Sequence, residues 1–237
     1  MRFLTPLVIV LGWLVLYPSE QLVGAAAEAS RAEAGTVERF INDIEKNPIP
    51  YQAVRRLEAS SSKLNESAWM EAFTEYRRDG GFSYRVLSQG GSERILNRAL
   101  KGVLESEREN TPQWRKAALT RENYDMVFEN RTPEGLIKVQ LNPRRRDSRL
   151  LDGAAWLSSQ SGALVKLEGR LSKSPSFWVR WVSITTKYAP VQGMMMPAGV
   201  ESTADVKIAG MSTFSMVYRY STVDGHSIGS PQILSAR

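Results

Sequence analysis

The sequence predicts a mainly β chain with helices, an α+β fold in which a curved antiparallel sheet or incomplete β-barrel carries an amphipathic helical lid. Three observations predict it. Runs of period-two alternation follow one another from Tyr51 to Ser221, joined by short turns. Two stretches carry the 3.6-residue apolar stripe of amphipathic helices instead. The strands number about nine to eleven, a size at which a sheet curls rather than staying flat.

The elements follow in order. Thr36 to Asn47 is a helix with Val37, Phe40, Ile41 and Ile44 on one stripe, stopped by Pro48 and Pro50. From Tyr51 to Gln89 the pattern is that of strands. There Phe82, Tyr84 and Val86 alternate with Ser83 and Arg85, and Asp79-Gly80-Gly81 signals a hairpin. Ser92 to Arg108 is a second helix, with Ser92 placed to cap it and Ile95, Leu96, Ala99, Leu100, Val103 and Leu104 as its stripe. A helical turn is expected around Trp114 to Leu119. Beyond it every segment alternates. Tyr124, Met126 and Phe128 come first, then Ile137, Val139 and Leu141, then Leu150 to Leu157. Ala163, Val165, Leu167 and Gly169 follow, then Phe177 to Lys187, Val200 to Ile208, and finally Phe214, Met216, Tyr218 and Tyr220. One face of such a sheet is apolar and needs a cover, and the two helices are the surfaces able to provide it.

Ahead of these elements lies an export pattern. Arg2 precedes a nearly unbroken apolar run from Phe3 to Leu16; polar residues follow, and Ala25-Ala26-Ala27 offers a cleavage site, with Ala32 to Ala34 as a second option. The run is shorter than the ~20 residues of a bilayer span. The expected division is a signal peptide at 1–27, a linker at 28–35, the sheet domain at 36–225 and a tail at 226–237. The expected location is periplasmic or otherwise extracytoplasmic, soluble after cleavage, with an uncleaved anchor as the alternative.

Composition narrows the chemistry. The 237 residues are 42% hydrophobic and 24% charged, which is globular usage. They include no cysteine, which removes disulfides, thiolate metal sites, a cysteine nucleophile and a lipid-bearing N-terminal cysteine. His226 is the single histidine and sits in an Asp-Gly turn context; no G-x-S-x-G or phosphate-binding G-x-x-x-x-G-K-[ST] motif occurs. Glu71, Glu75, Asp125 and Glu129 alternate with apolar residues, the pattern of a solvated face rather than of a glycosidase pair. No enzyme activity, cofactor or metal is expected. The net charge of +6 is spread along the chain, with a local cluster at Arg144-Arg145-Arg146 that is either a solvated loop or a contact for acidic partners. Met194-Met195-Met196-Pro197 reads as a soft apolar loop.

The second half resembles a known family. Leu151-Asp152-Gly153-Ala154-Ala155-Trp156-Leu157 and Ser161-Gly162-Ala163-Leu164-Val165-Lys166-Leu167-Glu168-Gly169 are similar to the paired strands of periplasmic outer-membrane lipoprotein-sorting proteins. Asn123 to Phe128 with Gly135 to Pro143, and Tyr188-Ala189-Pro190-Val191 with Met196-Pro197, extend the likeness over about Pro48 to Ser221. The resemblance implies an incomplete barrel with a helical lid over an apolar cavity, and a non-enzymatic carrier or envelope sensor for lipid or lipoprotein acyl chains.

On that reading Phe82, Tyr84, Ile95, Leu96, Leu100, Leu104, Ile137, Val139, Val165, Leu167, Phe214, Met216 and Tyr218 would line the cavity. Arg94 and Arg98 would be the candidates for latching the lid. The expected partners are the acyl chain and a membrane surface or membrane protein, with no nucleic acid, and the expected state is a monomer. An exported hydrolase of envelope polymers and a basic protein–protein interaction module remain alternatives.

Overall fold

The computed structural model describes residues 35–41 and 48–229. The expected signal segment 1–27, nearly all of the linker, the end of the first helix at 42–47 and residues 230–237 lie outside the described residues.

Among the described residues eleven strands form one antiparallel sheet. They are β1 (Tyr51–Ser61), β2 (Glu66–Arg77), β3 (Gly81–Gly91), β4 (Tyr124–Arg131), β5 (Leu136–Pro143), β6 (Leu151–Ser158), β7 (Leu164–Leu171), β8 (Val179–Val191), β9 (Met194–Val206), β10 (Gly210–Val223) and β11 (His226–Ser227). The order across the sheet is β3-β2-β1-β10-β9-β8-β7-β6-β5-β4, with β11 beside β10. β3 and β4 are the two edges and do not pair, so the barrel stays incomplete. The chain closes the middle of the sheet by laying β10, near its end, against β1.

Helix α1 (35–41) buries Val37, Phe40 and Ile41. The second helical stretch runs between the edge strands as α2 (Glu93–Ile95), a π-helical turn (Leu96–Leu100), α3 (Lys101–Asn110) and a 3₁₀ segment (Thr111–Lys116). It therefore continues past the expected end at Arg108 and takes in the turn expected near Trp114. Ser92 stands at its N-terminus, but the Ser92 hydroxyl donates to Glu66 Oε2 on β2 at 2.7 Å instead of capping the helix. Among the described residues no helix is long and apolar enough to cross a membrane.

Two cores result. In one, α2, the π turn and α3 lay Ile95, Leu96, Leu100 and Leu104 on Ala53, Leu57, Met70, Phe82, Met216 and Tyr218. In the other, α1 packs with Tyr124, Ile137, Val139, Leu141, Leu150, Leu157 and Leu164. Burying each such leucine is worth about 1.5–3 kcal/mol.

The structure corrects four of these readings. β7 carries a bulge, since Trp156 pairs with Lys166 and Leu157 with Leu164. Leu164 and Leu167 therefore both join the second core, and Val165 belongs to neither. Met194 to Met196 is not a loop but the start of β9, turned back onto β8 by Gln192 and Gly193, both at positive φ. β8 begins at Val179, which leaves Phe177 and Trp178 outside the sheet. The expected tail likewise starts inside the sheet, because His226 pairs with Val223 through a turn at Asp224-Gly225.

Candidate functional site

Directly paired residues share a face, so register identifies the covered side of the sheet. One row runs Phe128, Val139, Ala155, Leu167, Thr186, Val200, Met216, Leu57, Met70, Gln89 across the ten strands of the main path. Both cores lie on this one face. Val139, Ala155, Leu57 and Met70 are wholly buried in them. Leu167, Thr186 and Val200, between the cores, are only partly buried.

The next row has the same shape: Leu141, Gly153, Gly169, Ile184, Ser202, Phe214, Ala59, Ala68. Ile184 and Phe214 are again half-exposed. Gly153 and Gly169 face each other so closely that a Cβ on Gly153 would stand 2.1 Å from the Glu168 carbonyl oxygen and 2.5 Å from Gly169 Cα. The interior face thus has a seam along β7, β8 and β9, apolar at Leu167, Ile184, Val200 and Phe214, with a floor lacking side chains at the glycine pair. Tyr188 stands beside it, its phenol pushed well above the ordinary range by burial.

The second helical stretch is held to the sheet by a polar cluster. Arg55, on β1, shares its face with Ala53, Leu57 and Ala59. Its guanidinium donates to both carboxylate oxygens of Glu107 on α3, at 2.6 and 2.9 Å, and to the Tyr51 hydroxyl. It also lies 4.6 Å from the ring centre of Tyr218, 5.0 Å from Phe82 and 5.6 Å from Tyr51. The arginine side chain is 1% exposed and the glutamate 36%. Burial alone would lower the arginine pKa; Tyr218, and the hydrogen bond and charge of Glu107, outweigh it and hold the cation well above its usual range. The neighbouring phenols are raised by burial, Tyr218 to about 12. A second polar tie links Tyr84 on β3 to Glu105, and the Tyr84 phenol is pushed up to about 12 by desolvation and that carboxylate.

The expected site residues fall into three groups. Phe82, Ile95, Leu96, Leu100, Leu104, Met216 and Tyr218, with Tyr84 at the margin, are together in the first core; Leu100 and Leu104 are 0% exposed, so no water-sized space adjoins them. Ile137 and Val139 lie in the second core, under α1 rather than under the second helix. Leu167 and Phe214 border the seam, and Val165 is outside both clusters. Among the described residues the closest ion pair between the helix and the sheet is not at the expected latch residues. Arg94 is largely exposed and lies 4.0 Å from Glu66 on β2, and Arg98 makes no ion pair among the described residues. Arg55 and Glu107 take that place. Arg55 has the parity of the core residues around it, and Glu107 continues the stripe of Leu100 and Leu104 by three residues; that shared phase is the signal in the sequence.

The opposite face carries a different feature. A shallow cleft of about 590 Å³ is lined by Glu58, Ser60, Ser67, Trp69, Ser183, Thr185, Glu201, Thr203, Thr213 and Ser215 of this face, together with Ala59, Ala68, Ser202 and Phe214 of the interior row. His226 is exposed at the sheet margin. Glu71 is paired with Arg219 and Glu75 accepts from Gln52, while Asp125 and Glu129 hold Arg144 and Lys138. Arg145 spans Asn123 and the Lys116 carbonyl, so two of the three arginines at 144–146 are tied to the protein. Among the described residues no three acidic or histidine side chains converge to hold a metal.

Neither a family model nor a curated protein sequence matches the chain. In structure it is similar to a LolA superfamily protein from Nitrosomonas europaea, at 10% identity and a TM-score of 0.40, covering 83% of this chain and 94% of that one. It is also similar to a DUF1329 family protein from Desulfovibrio piger, at 7% identity and a TM-score of 0.39, covering 84% and 94%. Identity and superposition are both low, and the architecture above stands on the strand order and register of this chain itself.

Proposed function

We propose that this chain is a non-enzymatic binding protein for a lipid or lipoprotein acyl chain, acting outside the cytoplasm. The observation that carries the reading is the apolar seam on the interior face, half-exposed between two filled cores along β7, β8 and β9. An acyl chain needs an apolar, side-chain-poor trough from which water is excluded, and binding gains about 0.8 kcal/mol per buried methylene. The first core is filled as it stands, so a longer ligand enters it only if α3 lifts. The ties that resist lifting are polar and close to solvent at Glu107 and Glu105, and these can exchange protein partners for water during opening. The export pattern at 1–27 and the family resemblance of the strand and turn residues agree with this role.

The test is mass spectrometry of the gently purified protein, followed by titration with a fluorescent fatty acid. Co-purified lipid and saturable uptake are expected. Absence of both would overturn the reading.

A further inference from the structure

Three hairpin loops meet at one end of the sheet. The β7–β8 loop and the β9–β10 turn are joined by the Lys207 amide donating to the Trp178 carbonyl at 2.9 Å. The β1–β2 loop joins them through Ser62 and Lys63, whose amides donate to the Met211 and Ala209 carbonyls. At this end the protein exposes large apolar side chains: Phe177 is 76% exposed, Ile208 56% and Trp178 54%. Nothing in the acyl-binding seam explains them, since they lie beyond the strands that form it.

The polar side chains around them are of one sign. The loops 62–65, 172–178 and 207–209 contain Lys63, Lys173 and Lys207 and no acidic residue. Lys207 Nζ lies 3.4 Å from the Phe177 ring centre, and Phe177 meets Trp178 edge to face at 5.5 Å. Lys173 shares a second cleft with Arg146, the member of the arginine triplet without an ion pair among the described residues. The acids that border these loops are already engaged: Glu66 at the start of β2 accepts from Ser92, Asp147 in the second cleft is held by Arg149 at 2.7 Å, and Asp205 by Arg180 at 3.2 Å.

We infer that this end of the sheet is a docking surface for an anionic lipid bilayer, into which Phe177, Trp178 and Ile208 insert at headgroup depth while the three lysines meet the lipid charge. The chemistry selects this occupant. An aromatic pair and an aliphatic side chain ringed by lysines match the layered polarity of a membrane interface, where tryptophan and lysine are the characteristic anchors. A patch meant for another protein's core would not need the uniformly basic rim, which an anionic leaflet attracts. The proposal is independent of whether an acyl chain enters the seam.

The test is sedimentation of the full chain with vesicles of phosphatidylglycerol and phosphatidylcholine, and with phosphatidylcholine alone. The parent should partition to the anionic vesicles and weaken in high salt. The variant Phe177→Ala/Trp178→Ala/Ile208→Ser, and separately Lys63→Gln/Lys173→Gln/Lys207→Gln, should each bind about tenfold less or weaker still. Their circular dichroism melts should match the parent, because the side chains changed are exposed. Equal partitioning of the parent to neutral and anionic vesicles would overturn the proposal. So would a tip variant that binds like the parent, which would assign binding to another segment such as 3–16. A parent that self-associates through Phe177 and ignores vesicles would overturn it in favour of a second copy of the chain.

Discussion

Arg55 on β1 and Glu107 on α3 are joined by a two-pronged ion pair whose arginine is buried and whose carboxylate reaches solvent. The pair spans 52 residues of sequence and ties the helix to the strand at the centre of the first core. Its asymmetry matters. A buried cation cannot be left alone, so the carboxylate determines whether the helix rests closed.

Removing that carboxylate should therefore be costly. Glu107→Ala leaves Arg55 uncompensated and is expected to lower stability by about 3 kcal/mol, read from urea denaturation. Hydrogen exchange should quicken through 93–110. Replacing both partners, as Arg55→Met with Glu107→Leu, should recover most of the loss, because an apolar pair needs no desolvation of charge. Arg94→Ala and Arg98→Ala should each change stability by no more than about 0.5 kcal/mol, since both side chains are exposed.

The glycine pair under the seam gives a second expectation. A methyl group on Gly153 would collide with the Glu168 carbonyl and with Gly169 Cα, which are backbone and cannot swing aside. Gly153→Ala should force β6 and β7 apart and cost about 1–3 kcal/mol by overpacking. The loss should appear in the denaturation midpoint and as faster exchange in β7.

The aromatic cage sets a pH dependence. Tyr218 is raised to about 12 by burial, and Tyr51 and Tyr220 are raised further by the same cause. A raised phenol holds its proton more tightly folded than unfolded. Its contribution is intact below the unfolded value of about 10 and is lost as pH climbs from there toward the folded value. Urea midpoints should fall between about pH 10 and 12. Tyr218→Phe should flatten that fall while leaving a hydrophobic ring over Arg55.

Much of this was legible in the sequence where alternation met a single buried face. Ile137, Val139 and Leu141 are buried together as their spacing requires, and so are Met216, Tyr218 and Tyr220. Asp79-Gly80 turns β2 into β3 as expected. The errors have local causes. A bulge cannot be seen in alternation, so Val165 was assigned the place that Leu164 takes. The methionines at 194–196 read as a loop because Gln192 and Gly193, which make the turn, carry no strong turn signature. Arg55 shares the parity of Ala53 and Leu57, but its role depends on Glu107, a partner on the helix that only the fold brings near. The seam was legible only as a general hollow. Its position follows from which half of the sheet each helix covers.

The most direct test of acyl binding is titration of a fluorescent fatty acid into the parent and into Ile184→Glu, which places a carboxylate in the seam away from both filled cores. The account predicts saturable binding to the parent, with affinity reduced about tenfold or more in the variant while its melting temperature stays within a few degrees. No uptake by the parent, or equal uptake by the two proteins, would contradict it.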